Sequence, residues 1–297
     1  MNKLSMNYNS SGTSEMPLHY QPAAENAFLS DVLTYDVDES GTVTDPEESR
    51  WLPLVQSAVS TGEPVISEDQ SSPALAIPVY RDHRVRSVVI LVSSVDPEAI
   101  GVFEVWVPVG QYEEAGLKSG YYSSLERFQN VSTFVRFERG SGLPGQVWQS
   151  LCGTVHDDLG NHPGFLRAAG ASADALSAAI GIPVAGDDYV ASVILINAVK
   201  TPMAQGFEVW RCQPDGYQLQ SSASGVLTPT NALEPGFELT SGGGVPGLVE
   251  QHGGAMIITD QDAIGAGRPQ ATDEVEAVLA IPFYEADTLT SVTVLLL

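Results

Sequence analysis

Apolar residues along this chain come in short alternating or continuous runs, closed off by glycine, proline and small acidic clusters. The segment GVFEVWVPVG alternates strictly: Phe103, Val105 and Val107 fall on one face of a strand, and Glu104, Trp106 and Pro108 on the other. A second copy begins at Phe207 in GFEVWRCQPDG, and a glycine-containing turn and a further strand follow each copy. Three other segments, LAIPVYRDHRVRSVVILV, IGIPVAGDDYVASVILIN and LAIPFYEADTLTSVTVLL, align without gaps on Pro78, Pro183 and Pro282. Each reads as an apolar strand ending near the proline, a charged turn and a β-branched strand. Gapless alignment places Ser87, Ser192 and Ser291 at one equivalent position. The middle and last turns are acidic, and the first, RDHRVR, is basic.

A third element precedes each hairpin. In GSGLPGQVWQS and SGGGVPGLVEQH, glycines permit a tight left-handed approach, and Pro144 and Pro246 suit the first turn of a two-turn helix. RWLPLVQSAVSTGEP is a weaker partner. The repeat is close to one hundred residues, a period suited to whole small units rather than solenoid turns. Pairing each alternating strand pair with the helix-plus-hairpin that follows gives three units. They are a divergent or partial one within 1–97, preceded by a disordered N-terminus, then 98–201 and 202–297. FLSDVLTYDVDESGTV supplies strands to the first.

Composition narrows the function. With 297 residues, 28 glycines and 19 prolines, the chain suits several strand-rich units. Against 37 Asp+Glu stand only 13 Lys+Arg, a formal charge of −24 that repels nucleic-acid backbones and anionic lipid. A solvated acidic surface is the plain reading; salt adaptation or a basic protein partner are the alternatives. No stretch reaches the length of a membrane span, the N-terminus lacks the apolar core of a signal peptide, and Cys152 and Cys212 form no CxxC pair. A cytoplasmic location with reduced thiols is expected.

The motifs FERGSGLPGQVWQS and DDLGNHPGFLRAAGASADALSAAIGIPV resemble the GAF domain family, above all its bacterial G-x-G-L-P-G-x-V-W subgroup. The resemblance covers the middle unit well, extends over the last through FEVW, GGGVPGLV and AIPF, and is faint in the first. It implies an α+β fold of tandem GAF-like domains, each with a six-stranded antiparallel sheet and helices on its faces. It also implies a sensory or binding module whose ligand stays open. The family's long terminal signalling helices are not expected: VKTPMAQ is too short for one, and SVTVLLL ends the sequence.

Candidate chemistry is sparse. The aromatic set of the middle unit and the GFLRAAG loop suggest either packing or a pocket. For the pocket, Trp148, Phe165, Tyr121 and Tyr122 are the lining, Arg167 the charge for an anionic ligand, and Asp157 a flanking carboxylate. Arg268 lies near the corresponding loop of the last unit. No Lys-Ser/Thr follows the glycines, which argues against a phosphate cradle. His156, Asp157, Asp158 and His162 read as strand-end and loop residues rather than a metal set. Any cofactor stays as open as the ligand. The expected function is a non-catalytic sensory or regulatory protein with a small-molecule ligand. The alternatives are an adaptor with filled pockets that binds a protein partner, and a methionine-sulfoxide-reductase type enzyme, which would need reactive cysteines gathered in one cavity.

Overall fold

A computed structural model describes residues 19–22, 27–44, 49–67, 69, 73–225, 227, 232–266 and 275–297. The expected N-terminal tail (residues 1–18) and Arg268 lie outside them.

Three antiparallel sheets follow in chain order. The first contains β1 (His19–Tyr20), β2 (Leu29–Asp36), helix α1 (Leu52–Thr61), β3 (Val65–Ile66), β4 (Ala74–Arg81) and β5 (Arg84–Ser93), with strand order β1-β2-β5-β4-β3. The second contains β6 (Gly101–Val109), β7 (Glu114–Tyr121), α2 (Glu126–Phe134), β8 (Arg136–Glu138), α3 (Gly142–Ser150), β9 (Thr154–His156), α4 (Ala168–Ala173), β10 (Leu176–Ala185) and β11 (Tyr189–Ala198). Its order is β8-β7-β6-β11-β10-β9. The third contains β12 (Gly206–Gln213), β13 (Gly216–Ala223), β14 (Glu238–Thr240), α5 (Gly244–His252), β15 (Met256–Ile258), α6 (Gln261–Ile264), β16 (Val278–Glu285) and β17 (Thr288–Leu296). It repeats the same order as β14-β13-β12-β17-β16-β15. The class is α+β, with short helices. In the first sheet, two-residue β1, which precedes its partner in the chain, stands where the others have a full strand.

The helices start and stop for local reasons. Gly142 and Gly244 open α3 and α5 at φ +58° and +59°, a backbone region that side chains disfavour. A Cβ on Gly145 would stand 2.1 Å from the Glu138 carbonyl oxygen, and one on Gly247 2.2 Å from the Gly242 carbonyl carbon. These glycines are packing requirements. Gly62, Leu151 and Gly253 end α1, α3 and α5 in the left-handed conformation, so each chain turns directly into β3, β9 or β15.

Each sheet has one helical side and one inner side. In the middle sheet, Phe103, Val105, Ile180, Ile182, Val193 and Leu195 point inward and share one apolar core with Ile77, Val89 and Leu91 of the first sheet and Phe207, Leu279 and Leu295 of the third. Family resemblance suggested helices on both faces; here the second face of every sheet is covered by the other two sheets. Strands β4, β10 and β16 meet at the centre, where Ile77–Tyr80, Ile182–Ala185 and Ile281–Phe283 close around a void of about 10 Å³. This geometry accounts for the three prolines. Strand β3 pairs only as far as Ala76, β9 as far as Gly181 and β15 as far as Ala280. Pro78, Pro183 and Pro282 therefore lie past the outer neighbour, where no ladder partner asks for an N–H.

The sheets close head to tail. The residue after the first helix, Glu63, pairs with Lys118 of β7; its counterpart Cys152 donates to Gln220 Oε1 of β13 at 3.5 Å. In the third junction the Ala255 N–H donates to Ser87 Oγ of β5 at 2.9 Å. At the hairpin tips the basic first turn meets both acidic ones: Arg81 with Asp287, His83 with Asp187, and the Asp82 N–H with the Ala286 carbonyl at 2.7 Å. The opposite charges of the three turns complement one another between copies.

One expectation fails. Ser87 pairs with Val79 and Ser291 with Phe283, but Ser192 pairs with Pro183 itself. The middle hairpin closes through a three-residue loop, 186–188, while the outer two use the two-residue turns 82–83 and 286–287. That slip of one residue turns Ser192 to the helical side, where its hydroxyl donates to the Pro144 carbonyl at 2.9 Å. Gapless sequence alignment conceals it because a hairpin's register is set by its turn.

Candidate functional site

Strand β6 presents Glu104 and Trp106 to the helical side of the middle sheet. Both are fully buried, and the indole N–H donates to Glu104 Oε2 at 2.9 Å. Strand β12 repeats the arrangement, with Trp210 donating to Glu208 at 3.0 Å. The Phe-Glu-Val-Trp motif thus encodes an inward phenylalanine and an outward indole–carboxylate pair, as strand alternation requires.

Arg167, at the start of α4, meets Glu104 with both terminal nitrogens: Nη1 with Oε1, and Nη2 with Oε2 at 2.9 Å. Nη1 also donates to Ser132 Oγ of α2 at 2.6 Å, and the Tyr122 hydroxyl donates to Glu104 Oε1 at 2.9 Å. Around the guanidinium stand Phe128, Phe165, Trp106 and Phe137, with ring centres 4.6, 5.2, 5.5 and 5.9 Å away. Arg167 is 4% exposed. Burial, followed by the neighbouring Glu104 charge, pushes the Tyr122 phenol strongly upward, so it keeps its proton. Desolvating two charges is costly, and this pair offsets it by bidentate geometry, further donors and aromatic faces.

Of the six expected site residues, Tyr122, Phe165 and Arg167 come together here, and Arg167 is directed at an internal carboxylate. Tyr121 lies on the opposite side of the sheet, near Phe28 and Phe103 with ring centres 6.2 Å from each. Successive residues leaving a strand face opposite ways, which separates the two tyrosines. Trp148 stacks on Tyr189 at 5.1 Å, with Arg139 on its ring at 5.9 Å, and Asp157 is exposed at the end of β9. Glu104 and Ser132 were absent from the sequence-based set. An acidic residue inside an apolar strand, repeated at Glu208, was the available signal for Glu104. Nothing local marked Ser132.

Cys152 and Cys212 are both free thiols. Cys152 is buried against the third sheet, and Cys212 lies near Glu250 on that sheet's helical side; burial, then Glu250 and Cys152, push its thiol up to about 11. His156 and His162 stack at 3.9 Å. No group of three or more metal-ligating side chains occurs among the described residues. On the third sheet an open cleft of about 340 Å³ is lined by Gln213–Gln218, Glu238 and Leu239. No helix among the described residues is long and apolar enough to cross a membrane.

No family model matches the chain, and no curated protein matches it. Among solved structures it is similar to the A. aeolicus nlh2 GAF domain in an inactive state, at 18% identity and a TM-score of 0.28. That alignment covers 34% of this chain and 59% of that one. It is also similar to the bacteriophytochrome RpBphP3 of R. palustris, at 10% identity and a TM-score of 0.22 over 82% and 74% of the two chains. A third similarity is to an uncharacterised Mycobacterium tuberculosis protein, at 11% identity and a TM-score of 0.18 over 90% and 93%. The architecture described above rests on the sheets themselves, not on these similarities.

Proposed function

We propose that this chain is a non-catalytic regulatory adaptor built from three GAF-like units, acting through its outer surface toward a protein partner. The Glu104–Arg167 pair carries this reading: the space beneath the middle unit's helices, where an anionic ligand was expected, is occupied by the chain's own carboxylate and aromatic rings. Exposed apolar side chains on the outer helical surface, Phe134 at 84%, Leu166 at 60% and Val131 at 45%, support it. The raised Cys212 thiol speaks against thiolate chemistry.

The cleft along Gln213–Gln218 favours a second reading, a small-molecule site on the third unit. Native mass spectrometry of protein from its own cell separates the two. The adaptor reading expects a bare chain, or one bound to a polypeptide. A stoichiometric small molecule, whose removal lowers the melting temperature, overturns it.

A further inference from the structure

The loop from β9 to α4 carries a device that the adaptor reading does not use. It sends Leu159, Phe165 and Arg167 into the helix-side core, all at most 4% exposed, while Asp157, Asp158, Asn161 and Leu166 stay in solvent. Its base is pinned by His156, which is 2% exposed. His156 Nε2 meets Gln146 Oε1 of α3 at 2.8 Å, which assigns the hydrogen to that nitrogen. Nδ1, the nitrogen left to take a proton, is buried without a partner. The ring lies against His162 at 3.9 Å with an interplanar angle of 21°, and the edge of Phe165 closes a third side at 6.2 Å. His162 is fixed by accepting the Gly164 N–H on Nδ1 at 3.1 Å.

The groups that face His156 are therefore Gln146 from α3, His162 and Phe165 from the loop, and Ala179, its partner on β10. His162 is the titratable group among them. The Asp158 carboxylate binds the Asn161 amide, the Asp157 carboxylate accepts the Asp158 N–H, and neither is hydrogen-bonded to the His156 ring. A proton arriving at Nδ1 would create a buried cation whose new N–H has no acceptor, face to face with a second imidazole.

We propose that residues 157–167 form an acid-released latch, closed while His156 is neutral and opened by proton uptake at its sealed ring nitrogen, which uncovers Glu104 and the surrounding aromatic rings. Burial, and then His162, lower the His156 imidazole to about 4 from an ordinary value of 6.5. The sign follows from linkage. The open form binds the proton more readily, so closure is favoured fully above pH 6.5 and is lost progressively as pH falls toward 4.

Hydrogen exchange read by mass spectrometry on the full chain, corrected for intrinsic exchange at each pH, tests the latch. Protection of 157–167 is expected to fall roughly tenfold per pH unit below 6.5, about 300-fold in all, as a pKa lowered by that amount requires. Protection of β10 and β11 should stay level, and His156→Gln, which keeps a neutral partner for Gln146, should flatten the response. Protection of 157–167 that does not change with pH in the unsubstituted chain, or the same slope in His156→Gln, overturns the proposal. If that variant does not fold, the titration of the His156 ring protons decides: a midpoint near 6.5 overturns the latch, and one near 4 supports it.

Discussion

The two Phe-Glu-Val-Trp strands hold the same motif in different surroundings. On the inner side they are interchangeable: Phe103 and Phe207 enter one common core and are fully buried. On the helical side they part. Trp148 of α3 stacks on Tyr189. In the third unit the place of Trp148 is taken by Glu250, which accepts the Tyr217 hydroxyl, and Cys212 and Tyr284 fill the nearby space. The inner face must fit two other sheets at once, so its residues repeat. The helical face answers only to its own helices and is free to diverge. Chemistry peculiar to one unit is therefore found on the outside of the ring.

The largest test removes one member of the buried pair. Glu104→Leu should leave Arg167 charged and unpaired and cost about 3–5 kcal/mol in denaturant unfolding, whereas Glu104→Leu with Arg167→Met should recover most of the loss. A double variant no better than the single one would show that the ring set, rather than the charge, holds this core.

The next test compares two serines that look equivalent in sequence. Ser87→Ala should strand the buried Ala255 N–H and cost about 1–3 kcal/mol. Ser192→Ala removes the bonds to the Pro144 carbonyl of α3 and to the Tyr189 hydroxyl, both within the middle unit, so hydrogen exchange should report a local change there, while the Ser87 variant should loosen the third-to-first junction. If both variants loosened the same junction, the register difference would be wrong.

A smaller effect is expected at the exposed first junction. Lys118→Ala should cost no more than about 1 kcal/mol, because the Glu63–Lys118 pair is solvent-screened. The smallest effect on stability is none: alkylation of native Cys212 at pH 8 should run roughly 100-fold slower than that of an ordinary thiol, following its thiolate fraction. Fast alkylation would reopen the enzyme reading.

Much of the fold was legible because its causes are local. Alternation in GVFEVWVP assigned Phe103 and Glu104 to opposite faces, glycine and proline placed the starts of α3 and α5, and the charged turns marked the hairpins. Even the contrast between basic RDHRVR and the two acidic turns was visible, although its meaning was not. It became clear only when Arg81 and His83 were seen to meet Asp287 and Asp187.

What the sequence determined by itself was the strands and the side of each strand that is apolar, since backbone geometry fixes these within a few residues. Tertiary structure alone decided that the three sheets share one core, that Ser192 turns away from its apparent equivalents, and that Arg167 serves Glu104. Those outcomes depend on a hairpin's turn length and on side chains 63 positions apart meeting in one desolvated space. No local pattern records either quantity.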